Sequence, residues 1–334
     1  MKRADLLHIV IVNYRTAELA LDSVASLMQP NMLPEGTRVV VVDGASGDGS
    51  AVKLPAAIVS NGWQERVDFL ALGVNGGFSY GNNRGIEFLA ERYGKPKYVH
   101  LLNPDTIARA GSITSLVEFM ERHPRCGIAG SQLEDPDGTR QACVFRFPSV
   151  IGEFETGIQF GLLTKLLGRW AGVPKLAEAP ALADWVCGAS MIIRDRVIDD
   201  VGSLDEGYFL YHEEVDLCLR ATRAGWECWY MPESRVVHLV GQATGLGAPG
   251  RPKRLPAYWF ESRQRYYIKN HGSFYTAIAN CSWVAGHVLG RVRRAVKREP
   301  NFDPPYLLRD FVKHALRGIG PSGAFRRSAT VNAQ

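Results

Sequence analysis

The sequence predicts an α/β fold, a Rossmann-type mixed sheet, mostly parallel and flanked by helices, with a basic helical extension at the carboxyl end. Three observations carry this. Short apolar runs rich in β-branched residues recur along the first 133 residues. Stretches of helical pattern separate them, as parallel strands require. Residues 251–334 then carry 16 Lys and Arg against 4 Asp and Glu, a net of +12.

In order, His8–Val12, Arg38–Val42, Val67–Leu72, Tyr98–Leu102 and Gly127–Ser131 read as buried strands, with helices such as Leu19–Met28 and Gly81–Arg92 between them. The first run follows a basic tip. Asp5 and His8 interrupt it, Asn13-Tyr14-Arg15 ends it and no small-residue cleavage site follows, so it reads as a strand and not a signal peptide. Residues 134–184 are less regular: Asp135-Pro136-Asp137-Gly138 reads as a turn, and Phe154 to Trp170 as a helix or lid. Asp184–Arg194 is expected to be a strand. Glu213–Ala224 is expected to be a helix closed by Gly225, followed by strands Glu227–Met231 and Arg235–His238. A Gly- and Pro-containing linker, Gly245 to Pro256, precedes the tail. The expected division is therefore a domain over 1–250, with halves 1–133 and 134–250, and an extension over 251–334. Ser273 to Gly290 is apolar, but Thr276, Asn280, Ser282 and His287 punctuate it, leaving it too polar and too short for a membrane span.

With 334 residues, 46% hydrophobic and 22% charged, the chain buries a sizeable core, which excludes disorder of the whole. Its six cysteines show no CxxC pair and no metal-ligand spacing, so reduced core thiols in a cytoplasmic setting are expected. Residues 1–250 hold 23 Lys and Arg against 30 Asp and Glu, a net of −7. The basic tail thus stands apart and suits an anionic surface, membrane phospholipid or a diphosphate-bearing acceptor. Nucleic acid is disfavoured, because no nucleic-acid motif accompanies the charge.

Open sheets bind ligands beyond the carboxyl ends of their strands. Asn13, Asp43, Asn75 and Asn103-Pro104-Asp105 follow the apolar runs and should converge on one cleft. Asp43 enters a small-residue turn, Gly44 to Ser50, which also reads as a plain helix start capped by Asp48 or Ser50. Asn75 to Gly85, including Gly77, Phe78, Asn82, Asn83 and Arg84, places backbone N–H groups, amides and a guanidinium at a helix start, which suits a diphosphate. Asp105 sits where a carboxylate can share a hard cation with phosphate oxygens. Glu213, Glu214 and Asp216 crowd three carboxylates into one helical turn, with a solvated helix start as the plain alternative. His238, after a strand, suits a metal ligand, a phosphate contact or a structural role. Arg263, Arg265, Lys269 and His271 interleave with Trp259, Phe260, Tyr266 and Tyr267, a pattern for a lipid-linked diphosphate or a membrane interface.

Taken in order, IVIVNYRT, VVDGASGDGS, NGGFSYGNNRGI, LLNPDT, WVCGASMIIR, DEGYFLYHEEVDLCLRATRAGW and His238 with GQATG resemble glycosyltransferase family 2. Within it they are similar to the bacterial rhamnosyltransferase-like members that build cell-envelope polysaccharides. The resemblance covers about residues 6–272 and implies a GT-A-like fold. It implies donor contacts at Asn13, Tyr14, Asp43, Asn75, Gly77, Phe78, Asn82, Asn83, Asn103 and Asp105, with Asp43 on the nucleobase. It implies Mg²⁺ or Mn²⁺ on Asp105, with His238 as a second ligand. Glu214 would be the general base beside Glu213, with Asp216 as the alternative. Acceptor contacts would fall to Gly188, Ala189, Arg263 and Lys269. The chain departs from the family pattern at Glu213-Glu214, where Glu-Asp is commoner, at Asn103, where a first Asp often sits, and at Gly44, where Asn is common.

The implied reaction is a single in-line displacement with inversion at the anomeric carbon. Its donor would be a dTDP- or UDP-linked sugar, dTDP-L-rhamnose by resemblance, and its acceptor a glycan or a polyprenyl-diphosphate-linked sugar. The expected location is the cytoplasm, or the inner face of the plasma membrane through residues 251–334. The competing readings are a non-catalytic nucleotide-sugar-binding homologue and a nucleotidyltransferase. The latter wants a basic Gly-rich loop after the first strand, which Asn13-Tyr14-Arg15-Thr16 is not.

Overall fold

The structure, a computed structural model, describes residues 6–158, 160–161, 173–239, 252–301 and 303–317. Its centre is built from strands whose side chains are apolar on both faces. β1 (Leu7–Asn13), β2 (Thr37–Asp43) and β4 (Tyr98–Leu102) are almost wholly buried, the pattern of parallel strands covered by helices on each side. Val39 to Val42 are all 0% exposed, and burial of each contributes about 1.5–3 kcal/mol.

With β3 (Val67–Ala71), these strands run parallel in the order β3-β2-β1-β4. The sheet then continues through β10 (Ser190–Arg194), β6 (Cys126–Glu134), β11 (Glu227–His238) and β5 (Thr106–Ala108). β10 is antiparallel to both its neighbours, whereas β6 and β11 are parallel to each other. The carboxyl ends of β1, β2 and β4 therefore open on the same side. Helices α1 (Ala17–Leu27), α2 (Ser50–Ser60), α3 (Gly77–Tyr93) and α4 (Ser112–Arg122) link the strands of this half.

Three boundaries differ from expectation. Asp184–Arg194 is not one strand: β9 (Trp185–Val186), which pairs with β7 (Val144–Phe145), and β10 are parted by Cys187-Gly188-Ala189. Glu227–Met231 and Arg235–His238 join into the single strand β11, whose register against β6 shifts between Met231 and Arg235. Gly77-Phe78 of the NGGF stretch already belong to α3, which starts at Gly77, four residues before the expected helix. α5 (Val150–Ile158) occupies the start of the expected helix or lid, and the rest of that segment lies largely outside the described residues. So does most of the Gly245 to Pro256 linker.

The second half adds β8 (Ala181–Leu182), paired antiparallel with β11 in the main sheet, then α6 (Asp195–Val201) and α7 (Glu213–Arg223), which is followed by Gly225 with φ 90°. The tail forms α8 (Ala257–Lys297), kinked at Gly272, and α9 (Leu307–Arg317). Several of its cations are spent inside the molecule. Arg263 pairs with Glu153 of α5, Arg265 with Asp205, and Arg291 and Arg294 with Asp303. No described helix is long and apolar enough to cross a membrane.

Candidate active site

At the ends of β1 and β2, Asp43 is 2% exposed and its carboxylate is held from three directions. Asn13 Nδ2 donates to Oδ1 at 2.8 Å, Ser46 Oγ to the same atom at 2.5 Å, and Ser46 N to Oδ2 at 3.1 Å. Asn13 Oδ1 accepts in turn from Thr16 N and Oγ1. The two strand ends are thus one locked unit, with Tyr14 exposed beside it. Neither Asp48 nor Ser50 is the N-cap of α2, which is Gly49; Asp48 instead accepts from Ser50 N and Oγ just ahead of the helix, and those bonds hold its carboxyl below the usual range.

The start of α3 is a latch. Asn75 Oδ1 accepts from Gly77 N at 3.0 Å, and Phe78 N donates to Phe209 O at 2.8 Å. Gly77 has φ +87°, and a Cβ there would lie 2.1 Å from Phe209 O, so only glycine fits. These two N–H groups therefore serve the protein and not an anion. Asn82 and Asn83, expected to touch the donor, are buried fasteners. Asn82 Nδ2 donates to Phe78 O one turn back, and Asn83 Nδ2 to Leu204 O and Glu206 Oε1.

Beyond β4, Asn103 N donates to Ala189 O, which ties this turn to the Cys187–Ala189 break. Asp105 is 2% exposed, and β5 pairs antiparallel with the end of β11, Thr106 opposite His238. Leu239 N donates to Asp105 O. This pairing sets His238 Nε2 3.6 Å from Asp105 Oδ1. Burial lowers the His238 pKa while Asp105 opposes the shift, so the ring is neutral and its nitrogen can serve as a ligand. Asn103 Oδ1 is buried without a hydrogen-bond partner. One carboxylate, one imidazole and an amide oxygen fit Mg²⁺ or Mn²⁺ if phosphate oxygens and water complete the shell. Among the described residues, no three His, Cys, Asp or Glu cluster as a self-sufficient metal cage.

The acidic helix α7 begins after two left-handed non-glycine residues, Tyr211 (φ 71°) and His212 (φ 70°), a strained entry that persists only where neighbours impose it. Ser262 Oγ donates to Leu210 O, Asp216 N to His212 O, and Tyr258 packs on Phe209 and Tyr211. Glu213 is 3% exposed, and burial, reinforced by Glu214, pushes its carboxyl well above the usual range. Burial pushes Glu214 up to about 7 against the helix-start N–H groups, and its Oε2 has no hydrogen-bond partner. Such a carboxyl is poised for proton transfer near neutrality.

Asp216 is different. Burial alone would raise it, but hydrogen bonds from Lys269 (2.8 Å), Asn270 (2.9 Å) and Arg220 (2.8 Å) outweigh that and hold it low. Its charge is consumed, so the alternative base assignment loses its basis. Lys269 is consumed with it, and also meets Asp205. Arg263 is 3% exposed between Glu153 and Asn280. Both expected acceptor contacts on α8 are internal anchors.

Gly188 and Ala189 do reach the site. A Cβ on Gly188 would lie 3.6 Å from Glu214 Cβ and 3.8 Å from the Phe78 ring. Cys187 lies among the charges, its thiol pushed up to about 12 by burial first and then by Glu214, with Asp105 also contributing. With Gly188 against Glu214 and Ala189 O accepting from Asn103 N, the break between β9 and β10 links the acidic helix start to the Asp105 turn. Ser46, which shapes Asp43, was missed as a site residue, although a Ser three positions after an Asp is a turn signal. Asp205 and Glu206, the partners of Lys269 and Asn83, carry no signal of their own.

A parallel half-sheet with acidic strand ends, an antiparallel second half and a carboxylate-rich helix start define a GT-A-like glycosyltransferase. The chain belongs to glycosyltransferase family 2. The model of that family, Glycosyl transferase family 2, matches residues 8–159. The N-acetylglucosaminyl-diphospho-decaprenol L-rhamnosyltransferase of Mycobacterium tuberculosis is 30% identical over 255 residues, covering 72% of this chain and 78% of that protein. Rhamnosyltransferase WbbL of Escherichia coli is 28% identical over 177 residues, 52% of this chain and 64% of that protein. Among solved structures, mannosyltransferase PcManGT of Pyrobaculum calidifontis, in complex with GDP-Man and Mn²⁺, aligns with a TM-score of 0.52 at 12% identity, over 95% of this chain and 88% of that one. S. aureus TarS 1–349 aligns at 0.54 and 11% identity, over 94% and 82%. These two likenesses bear on the fold alone.

Proposed function

We propose that the chain transfers L-rhamnose from a dTDP-linked donor to a polyprenyl-diphosphate-linked N-acetylglucosamine, with inversion, in envelope polysaccharide synthesis. The observation that carries the reading is the placement of Glu214 over Gly188, with the next residue, Ala189, accepting from Asn103 N two residues before Asp105, which meets His238. The named acceptor of the Mycobacterium tuberculosis relative supports the substrate class.

In this reading Glu214 Oε2 accepts the proton of the acceptor hydroxyl as that oxygen attacks the anomeric carbon. Burial beside Glu214 favours the neutral form of Glu213, which limits competing charge. The Asn13–Asp43–Ser46 unit shapes the nucleobase end, and the Gly188 and Phe78 surface floors the acceptor end. A divalent cation held by Asp105 and His238, with Asn103 beside them, would neutralise charge on the leaving diphosphate.

The test is a panel of nucleotide sugars and synthetic lipid-diphosphate acceptors, with Mg²⁺ or Mn²⁺, read as product and its anomeric configuration. Transfer from dTDP-rhamnose is expected, and its absence alongside transfer from another donor would replace the sugar assignment. Asp105→Ala is expected to remove the cation-dependent part of nucleoside diphosphate binding in calorimetry. Binding that depends on cation as strongly as in the unmodified chain would reject the ligand role.

Gly77→Ala has a separate consequence. The added methyl collides with Phe209 O, so the base loop and the donor loop must part. Transfer is expected to fall about 100-fold, the order of loss that ångström-scale misplacement produces. Wild-type kcat/KM in a folded variant would mean that the latch does not position the site.

A further inference from the structure

Beyond the kink at Gly272, the outer face of α8 is apolar along its length. Phe274, Ile278, Val288, Leu289, Val292 and Val296 lie on it, and Phe274 and Val296 are 82% and 78% exposed. The inner face is fixed by close backbone packing: a Cβ on Gly286 would lie 2.3 Å from Phe154 O, and one on Gly290 2.4 Å from Gly157 O of α5. The helix therefore cannot roll its apolar face inward. An exposed apolar stripe of this extent calls for a partner.

We infer that this face seats the protein on an anionic lipid leaflet. The inference rests on the reading of a lipid-linked acceptor, and adds where the membrane is met. Charge favours lipid over protein. Residues 273–298 contain no Asp or Glu, and the stripe ends among basic residues. Lys297 and Arg298 are exposed there. Apolar side chains framed by cations are what a helix lying in an anionic interface needs. A second copy would bring like charge to like charge in parallel, and in antiparallel would set the cations against Phe274.

Spacing agrees. Phe274 and Val296 are two 11-residue steps apart through Ala285, and Ile278 and Leu289 one step apart. An 11-residue repeat drifts less per unit length than the heptad of a left-handed pair, so the stripe stays nearly straight over about 33 Å. A straight stripe suits a plane. On the other side of the Gly272 kink, the first segment of α8 holds the base loop through Ser262 and Leu210, so the surface and the site are joined by one short stretch of chain.

The experiment is flotation of the full chain with vesicles of phosphatidylcholine alone and with added phosphatidylglycerol, alongside Leu289→Glu/Val292→Glu and a remote control, Val52→Glu. All three positions are exposed, so folding is undisturbed, and a thermal melt confirms it. The chain is expected to float with the anionic vesicles, less so at high salt, and the double variant to lose about tenfold or more of its partitioning. A fluorophore on exposed Cys281 should shift to the blue on binding. Equal flotation of the double variant overturns the inference, as does binding indifferent to lipid charge. So does a wild-type dimer that the double variant dissolves while neither binds vesicles, which would award the face to a second copy. Flotation without any sugar transfer would sink the proposed function and leave this inference standing.

Discussion

Glu214→Gln is expected to cut turnover by about 10²–10⁴-fold, the usual contribution of a positioned general base, and at the same time to make the protein more stable above neutral pH. Both effects come from burial. The Glu214 carboxyl titrates at about 7 in the fold, against an ordinary value of 4.5. The folded chain therefore holds a proton that the unfolded chain has already lost between those values. The stability due to this proton is fully present below the unfolded pKa and is lost as pH rises through about 7. Glutamine is neutral at every pH, so its thermal advantage should appear near pH 8, at most about 3 kcal/mol, and vanish by about pH 4. In the unmodified enzyme kcat/KM should climb as pH passes about 7, when the base ionises. Glu213→Gln should leave turnover largely intact, because burial and the neighbouring Glu214 already favour the neutral form of Glu213. Undiminished transfer by Glu214→Gln would remove the residue from the mechanism. A melting curve with no pH-dependent gain would show that the carboxyl is not buried as described.

Asp216→Ala carries the largest expected loss of stability, about 3–5 kcal/mol, because it strips one partner from a buried ion cluster and leaves the others unpaired. Four groups converge on this carboxylate: Tyr208 Oη, Arg220, Lys269 and Asn270. Together they fasten α7 to α8, so the loss should show as a lower unfolding midpoint in urea. Asp216→Asn keeps the shape and loses the charge, and should fall between the two. It also separates structure from chemistry. Its folded fraction should still turn over, whereas a collapse as deep as that of Glu214→Gln would return the base role to Asp216.

How far the sequence reached depends on which residues are asked about. β1, β2 and β4 were legible because fully buried parallel strands are continuous apolar runs, and Asn13 and Asp43 were legible because chain order alone puts them at neighbouring strand ends. The single strand expected over Asp184–Arg194 was an error of the same kind of reading. Its apolar pattern continues through Cys187–Ala189, and nothing local says that the backbone leaves the sheet there to face Glu214. The anchors were less accessible still. Asn83 finds Leu204 and Glu206, Lys269 finds Asp205 and Asp216, and Arg263 finds Glu153. An amide or a cation reads identically whether its partner is water, a ligand or a carboxylate far away in the chain.

Membership in glycosyltransferase family 2, the α/β order and the acidic positions were determined by the sequence alone, since they depend on residue type and order along the chain. Only the tertiary structure decided which acids remain chemically available. Glu214 and Asp216 sit two residues apart on one helix, yet one lies over Gly188 with a buried, unsatisfied oxygen and the other is saturated by Arg220 of its own helix, by Tyr208 and by Lys269 and Asn270 of α8. The difference is desolvation without compensation against desolvation with it, and compensation comes from groups that only folding brings near.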